Sequence, residues 1–231
     1  MAMIQWNALS TNLFGSFEAV TLMPGTETMN GAEERLPVLY LLHDNGDNAL
    51  RFMRCVELEA LCDEKRIIIC CPWISHSFGQ DYRWGGKFGL FAAKEFPGIC
   101  ANMFPADNSR AMIGGVGTGA YAACCLARQH AGHFTKVIGY NGIYDMETLF
   151  RRVKAGKEEK YLTLPMLEAA FGDPDSFTGS AKDLFAGDPP AGVVLGCLPD
   201  PEKERDSRRL ADLWGVSLHT GTLAQVIASC I

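Results

Sequence analysis

The sequence lacks the features that would place it in a membrane, on a nucleic acid or in a disulfide framework. No apolar run approaches the ~18 residues that cross a bilayer, and the opening Met1-Ala-Met-Ile-Gln-Trp6 has neither the charged start nor the apolar stretch of a signal peptide. Basic residues are not in excess. Lys and Arg total 21 against 27 Asp and Glu, a net charge of −6, which offers no basic face to nucleic acid or anionic lipid. Neither partner is expected. The nine cysteines include no C-x-x-C; Cys70-Cys71 and Cys124-Cys125 are adjacent pairs without zinc or redox spacing. Cys70, Cys71, Cys124, Cys125 and Cys197 fall inside apolar patterns, where a free thiol packs as a small hydrophobe. That placement suits a reducing cytoplasm, the expected location. No internal repeat or low-complexity tract is present.

What is there is enough for one core. A chain of 231 residues with 48% hydrophobic content is expected to form a single α/β domain over 1–231. Residues 3–10 and 16–23 alternate apolar and polar side chains, as two antiparallel strands would. A polar turn is expected from Pro24 to Arg35. Leu36-Pro-Val-Leu-Tyr-Leu-Leu42 and Arg66-Ile-Ile-Ile-Cys-Cys-Pro72 are near-continuous apolar runs, the signature of strands covered on both faces of a parallel sheet. Between them Ala49–Lys65 has helical spacing. Trp73 to Gly86 is an aromatic, glycine-rich loop on the side where the strands end, which is where open α/β sheets form ligand crevices. Phe88–Met103 reads as a helix, Ala111–Gly115 as a strand, Thr118–Gln129 as a helix and Lys136–Tyr140 as a strand. A small helical insertion is expected at about 146–190. Val193–Cys197, Glu202–Trp214, Val216–His219 and a terminal helix complete the alternation, which implies right-handed crossovers and a mostly parallel sheet with helices on both faces.

The chemistry-bearing stretch is Gly115-Val-Gly117-Thr-Gly119-Ala120, where strand turns into helix. It has two functional readings. As G-x-G-x-x-A it would seat a dinucleotide pyrophosphate on the helix N-terminus. That fingerprint normally opens the first βαβ unit and is followed some 20 residues later by an acid, whereas here a complete βα unit precedes the turn and Gly132-His-Phe-Thr-Lys136 brings no acid. As G-x-S-x-G it would be the nucleophile elbow of an α/β-hydrolase, with Gly117 at the serine's place. A glycine-rich βα turn without a ligand is the plain alternative.

The order of motifs resembles the tributyrin esterase group of the esterase D-like α/β-hydrolases, relatives of S-formylglutathione hydrolase and feruloyl esterase. The resemblance is carried by Leu36–His43, the Pro72–Asp81 loop with Ser77-Phe78, Glu95-Phe-Pro97, Ile113–Tyr121, Phe171-Gly-Asp173 and Gly179–Leu184, and it fades beyond Pro190. It implies the α/β-hydrolase fold, no cofactor or metal, self-association, and hydrolysis of short acyl esters by a Ser-His-Asp triad. Position by position the triad is broken. Gly117 stands for the serine and Thr222 for the histidine, while Asp200 falls at the place of the acid. The oxyanion loop, normally His-Gly, reads His43-Asp44, and a carboxylate there raises the barrier an oxyanion hole lowers. Losing the serine or histidine of a triad costs about 10⁶-fold in turnover, roughly 8 kcal/mol. The expectation is therefore a pseudo-esterase that binds a small ester, a sugar or a partner in a crevice lined by His43, Asp44, Trp73, His76, Gly117, Thr118 and Asp145. Two alternatives are a weak carboxylesterase using Thr118 with His76 or His219, and a non-catalytic assembly module.

Overall fold

The run Leu36–Leu42 (β3) sends its side chains alternately into two cores, with Val38, Tyr40 and Leu42 on one face and Leu39 and Leu41 on the other. Ile68–Pro72 (β4) divides in the same way, Ile68 and Cys70 against Ile69 and Cys71. Burial on both faces explains why neither run alternates with polar residues. The computed structural model describes residues 2–25, 34–157 and 161–231; most of the polar turn expected between Pro24 and Arg35 lies outside them.

The sheet has eight strands in the order β1-β2-β4-β3-β5-β6-β7-β8. β1 (Ala2–Ser10) and β2 (Gly15–Met23) form the expected hairpin, and β2 also runs antiparallel to β4. From β4 onward all pairings are parallel, through β5 (Ala106–Val116), β6 (Lys136–Tyr140), β7 (Val193–Cys197) and β8 (Leu218–Thr220). One face is covered by α1 (Val56–Lys65) and α8 (Leu223–Ala228). The other carries α2 (Phe88–Leu90), α3 (Phe96–Met103), α4 (Thr118–Gln129), α5 (Met146–Lys154), α6 (Leu164–Phe171) and α7 (Pro201–Trp214). Among the described residues no helix is long and apolar enough to cross a membrane, and all nine cysteines are free, eight of them buried.

Three element boundaries differ from the sequence reading, each for a local reason. Ala49–Lys65 is two pieces, a 3₁₀ segment (Ala49–Arg54) and then α1, because Cys55 leaves helical geometry at φ −99° and ψ 83°. Phe88–Met103 is one helical rod widened into a π turn at Phe91–Glu95. Pro97 follows that turn, and with no N–H for the carbonyl of residue 93 and a ring that would collide with it, Pro97 favours the wider turn. β5 begins five residues earlier than expected, at Ala106, because its first pairs with Leu36 and Pro37 are separated from the rest by a register shift.

Two segments singled out in the sequence turn out to be fasteners. The Glu95 carboxylate ties down the β1–β2 turn, accepting from Ser10 Oγ at 2.6 Å, the Thr11 amide at 2.8 Å and Asn12 Nδ2 at 2.8 Å. Phe171, at the end of α6, packs against Phe78, Tyr121, Phe150 and Phe177 with ring centroids 5.1–5.8 Å apart. That aromatic cluster joins α5, through Phe150, and α6, through Phe171, to Tyr121 of α4 and to Phe78.

Candidate functional site

At the carboxyl end of β5 the chain reverses through Gly117, at φ +60° and ψ −120°, straight into α4. Two flanking glycines make so tight a reversal feasible. A methyl group on Gly115 would overlap the Gly119 carbonyl, and one on Gly119 would overlap the carbonyls of Leu42 and His43. The helix start is thus pressed onto both β5 and the end of β3, which no larger residue allows. The Gly117 amide donates to the Tyr140 carbonyl at 3.0 Å, and the Gly117 carbonyl accepts from the Ile143 amide at 3.1 Å.

The space a side chain at 117 would enter is taken by Asp44, since a Cβ built on Gly117 overlaps the Asp44 carboxylate. Asp44 Oδ1 accepts from the Asn45 amide at 2.8 Å, the Thr118 amide at 2.8 Å and the Thr118 hydroxyl at 3.0 Å. In a serine hydrolase of the elbow type the oxyanion is held by the amide after the nucleophile together with one from the loop after the third strand. Thr118 follows Gly117 and Asn45 lies in the loop after β3, and both amides point at the chain's own carboxylate.

Around this floor lies a cleft of about 600 Å³. Asp44, Gly117 and Asp145 line it, together with residues not foreseen as site residues: Asp47, Arg51, Asn141, Arg152, Arg205, Asp206 and Arg209. Asp145 caps α5 through the Thr148 amide at 2.9 Å and pairs with Arg209. Burial would raise its pKa, but the Thr148 and Arg209 hydrogen bonds outweigh burial and hold the carboxyl below its ordinary range. A second lobe of about 630 Å³ adjoins at Asp47, Arg51, Val116 and Asn141 and adds the apolar side chains of Leu50, Phe52, Leu198 and Leu223 beside Tyr140 and Asn48.

The other expected site residues are placed as follows. His43 is 2% exposed and sits beneath the cleft. Its Nε2 accepts from the Ile74 amide at 3.0 Å, which puts the neutral ring's proton on Nδ1, donating to the Asp44 carbonyl at 2.8 Å. Burial pushes its pKa down. His43 is therefore a neutral tie between the loops after β3 and β4. His76 Nδ1 meets Asn45 Oδ1, and burial lowers its pKa too. Trp73 stacks edge-on to Phe88 at 6.2 Å. Of the crevice residues expected from sequence, Asp44, Gly117 and Asp145 line the cleft, whereas His43, Trp73, His76 and Thr118 do not. Thr118 is 4% exposed, and its hydroxyl contacts Asp44 and the Asn45 amide, with no hydrogen bond to His76 or to His219, which is exposed on β8.

Asp200 begins the turn into α7, its amide donating to the Leu198 carbonyl at 2.8 Å and its carbonyl accepting from the Glu204 amide at 2.8 Å. Thr222 is the N-cap of α8 in a reciprocal capping box with Gln225: the Thr222 hydroxyl accepts from the Gln225 amide and Gln225 Oε1 accepts from the Thr222 amide. Tyr140 fastens the same loop, its hydroxyl donating to the Gly221 carbonyl at 2.8 Å. Thr222→Ala is expected to cost about 1 kcal/mol through loss of the cap, read as a lower denaturation midpoint at unchanged m-value; no loss would mean the box is not formed in solution.

No protein-family model and no curated protein matches this chain. Solved structures do match it in shape. FphF, a fluorophosphonate-binding serine hydrolase of Staphylococcus aureus, superposes with a TM-score of 0.76 at 16% identity, over 95% of this chain and 89% of that one. An S-formylglutathione hydrolase from Agrobacterium tumefaciens gives 0.68 at 14%, over 95% and 84%, and a ferulic acid esterase gives 0.67 at 14%, over 99% and 95%. The fold is the α/β-hydrolase fold. Within it, Gly117 lies at the turn from β5 into α4. The dinucleotide alternative fails on the same geometry, because the α4 N-terminus that would hold a pyrophosphate is filled by Asp44.

Proposed function

We propose that this α/β-hydrolase-fold protein does not hydrolyse esters and uses the cleft over Gly117 to bind a small ligand. The observation that carries the reading is the Asp44 carboxylate bonded to the amides of Asn45 and Thr118. An oxyanion hole works by offering preorganised donors to a developing negative charge. Here both donors are committed to a resident charge, and a second anion beside Asp44 would be repelled. Gly117 at the elbow and Thr222 as a helix cap agree with it, since neither a nucleophile nor a base stands where the fold uses one. A relocated nucleophile at Thr118 is disfavoured, since its hydroxyl donates to Asp44 and has no imidazole beside it.

The test is covalent labelling. Protein incubated with a fluorophosphonate is expected to keep its unmodified mass and to leave p-nitrophenyl butyrate at the buffer rate. An adduct with inhibitable turnover overturns the proposal, and an adduct mapped to Thr118 would favour the weak carboxylesterase instead.

A further inference from the structure

The cleft floor is chemically simple. The Gly117 amide and carbonyl are bonded within the fold, and the Asn45 and Thr118 amides go to Asp44 Oδ1. What the floor still presents to the cavity is Asp44 Oδ2, which has no hydrogen bond among the described residues. The walls are different. Each of the other carboxylates lining the cleft has an arginine against it: Asp47 has Arg51 at 3.2 Å, Asp206 has Arg205 at 3.4 Å, and Asp145 has Arg209. Arg152 lines the cleft as well, so the lining sets four arginines against four carboxylates, and Asp44, at the base of the 600 Å³ cavity, is the one of those carboxylates without an ion pair among the described residues.

We infer that the site binds a ligand through a protonated amine, seated on Asp44 Oδ2 above Gly117. This rests on the non-hydrolytic reading of the same cleft and names its ligand chemistry. The charge preference of the fold's site is reversed: donors that would receive an anionic oxygen now hold a carboxylate that receives a cation. The missing side chain at 117 is part of the device, since any larger residue would collide with the Asp44 carboxylate. A metal ion is a poorer fit than an organic ammonium, because no cluster of three or more His, Cys, Asp or Glu suited to a metal occurs among the described residues. An ammonium group needs only a carboxylate and polar neighbours, and the paired walls supply both donors and acceptors. Charge-assisted hydrogen bonds of this kind are the stronger ones.

The experiment compares three probes of equal chain length, n-butylammonium, butyrate and 1-butanol, by amide chemical shifts of the ¹⁵N-labelled full chain. Butylammonium is expected to shift Asn45, Gly117 and Thr118 saturably, and butyrate and butanol are not. Asp44→Asn keeps an oxygen for the two amides, so the fold is retained, and it is expected to weaken butylammonium at least tenfold. Butyrate binding as tightly as butylammonium, an unchanged affinity in Asp44→Asn, or no saturable shift with any probe would each overturn the inference. Fluorophosphonate labelling of the same sample reports separately on the non-hydrolytic reading, so an unlabelled protein that prefers butyrate refutes the cation alone.

Discussion

Placing a serine at position 117 is expected to damage this protein without making it an esterase. Gly117→Ser should cost about 2–6 kcal/mol, combining roughly 1–3 kcal/mol for a non-glycine residue in a strained backbone region with roughly 1–3 kcal/mol for forcing atoms into occupied space. The backbone at φ +60° and ψ −120° supplies the first part, and overlap with the Asp44 carboxylate supplies the second. Adding Asp44→Gly removes the overlap, so the double variant should regain about 2 kcal/mol relative to Gly117→Ser, a coupling that a double-mutant cycle isolates. Neither variant should approach esterase rates. On the non-hydrolytic reading proposed above, Thr222 caps α8 and the new serine has no base to take its proton, a deficit of about 10⁶-fold. The double variant frees the two amides, so fluorophosphonate should label it faster than Gly117→Ser. Additive stabilities, or equal labelling of the two variants, would mean that Asp44 does not occupy the elbow in solution.

The coupling between Asp44 and Gly117 also marks where sequence reading stops. The framework was legible because it is local: runs such as Leu36–Leu42 and Ile68–Pro72 announce strands buried on both faces, and three glycines spaced by two announce a tight strand-to-helix turn. Gly117, Thr222 and Asp44 were read as departures from a catalytic pattern on the same local ground, each being one position in a short motif. What Asp44 does there was not, because its hydrogen bonds to Thr118 span 74 positions and leave no periodic trace. The arginines of the cleft were hidden for another reason. Arg205 and Arg209 lie on the exposed, charged side of α7 and read as an ordinary solvated face, and only the tertiary fold sets them opposite the start of α5, where Arg209 meets Asp145. Trp73 misled because an aromatic residue in a crevice loop looks like a lining residue, whereas its ring goes to Phe88. Ala49–Lys65 misled because apolar spacing continued across a backbone break at Cys55.

Removing the imidazole of His43 is expected to cost about 3 kcal/mol and to flatten the upper part of the acid-denaturation profile. His43→Ala would orphan the Ile74 amide, at a residue 2% exposed, and take away the donor to the Asp44 carbonyl; an unsatisfied buried donor costs about 1–3 kcal/mol, and the cavity adds to it. The pH dependence follows from the direction of the shift. Burial lowers the His43 pKa in the folded chain below its ordinary 6.5, so the unfolded chain takes up a proton first as the pH falls. Above about pH 6.5 the stabilisation is complete, and it is lost progressively below that value, down to the folded pKa. His76 and His130 are shifted the same way by burial, to a smaller degree of enclosure, so His43→Ala should remove the larger part of the slope just below pH 6.5 and not all of it. The carboxyls of Glu95, Asp107 and Asp145 are held low; their contribution is present above about pH 4 and disappears only as the pH falls further. Denaturant midpoints of the two proteins measured between pH 7.5 and pH 3 should therefore converge from the top of that range downward, then fall in parallel. Parallel curves throughout would show that the buried ring of His43 is not the group that senses mild acid, and with it the tie that sets Asp44 against the elbow would lose its physical basis.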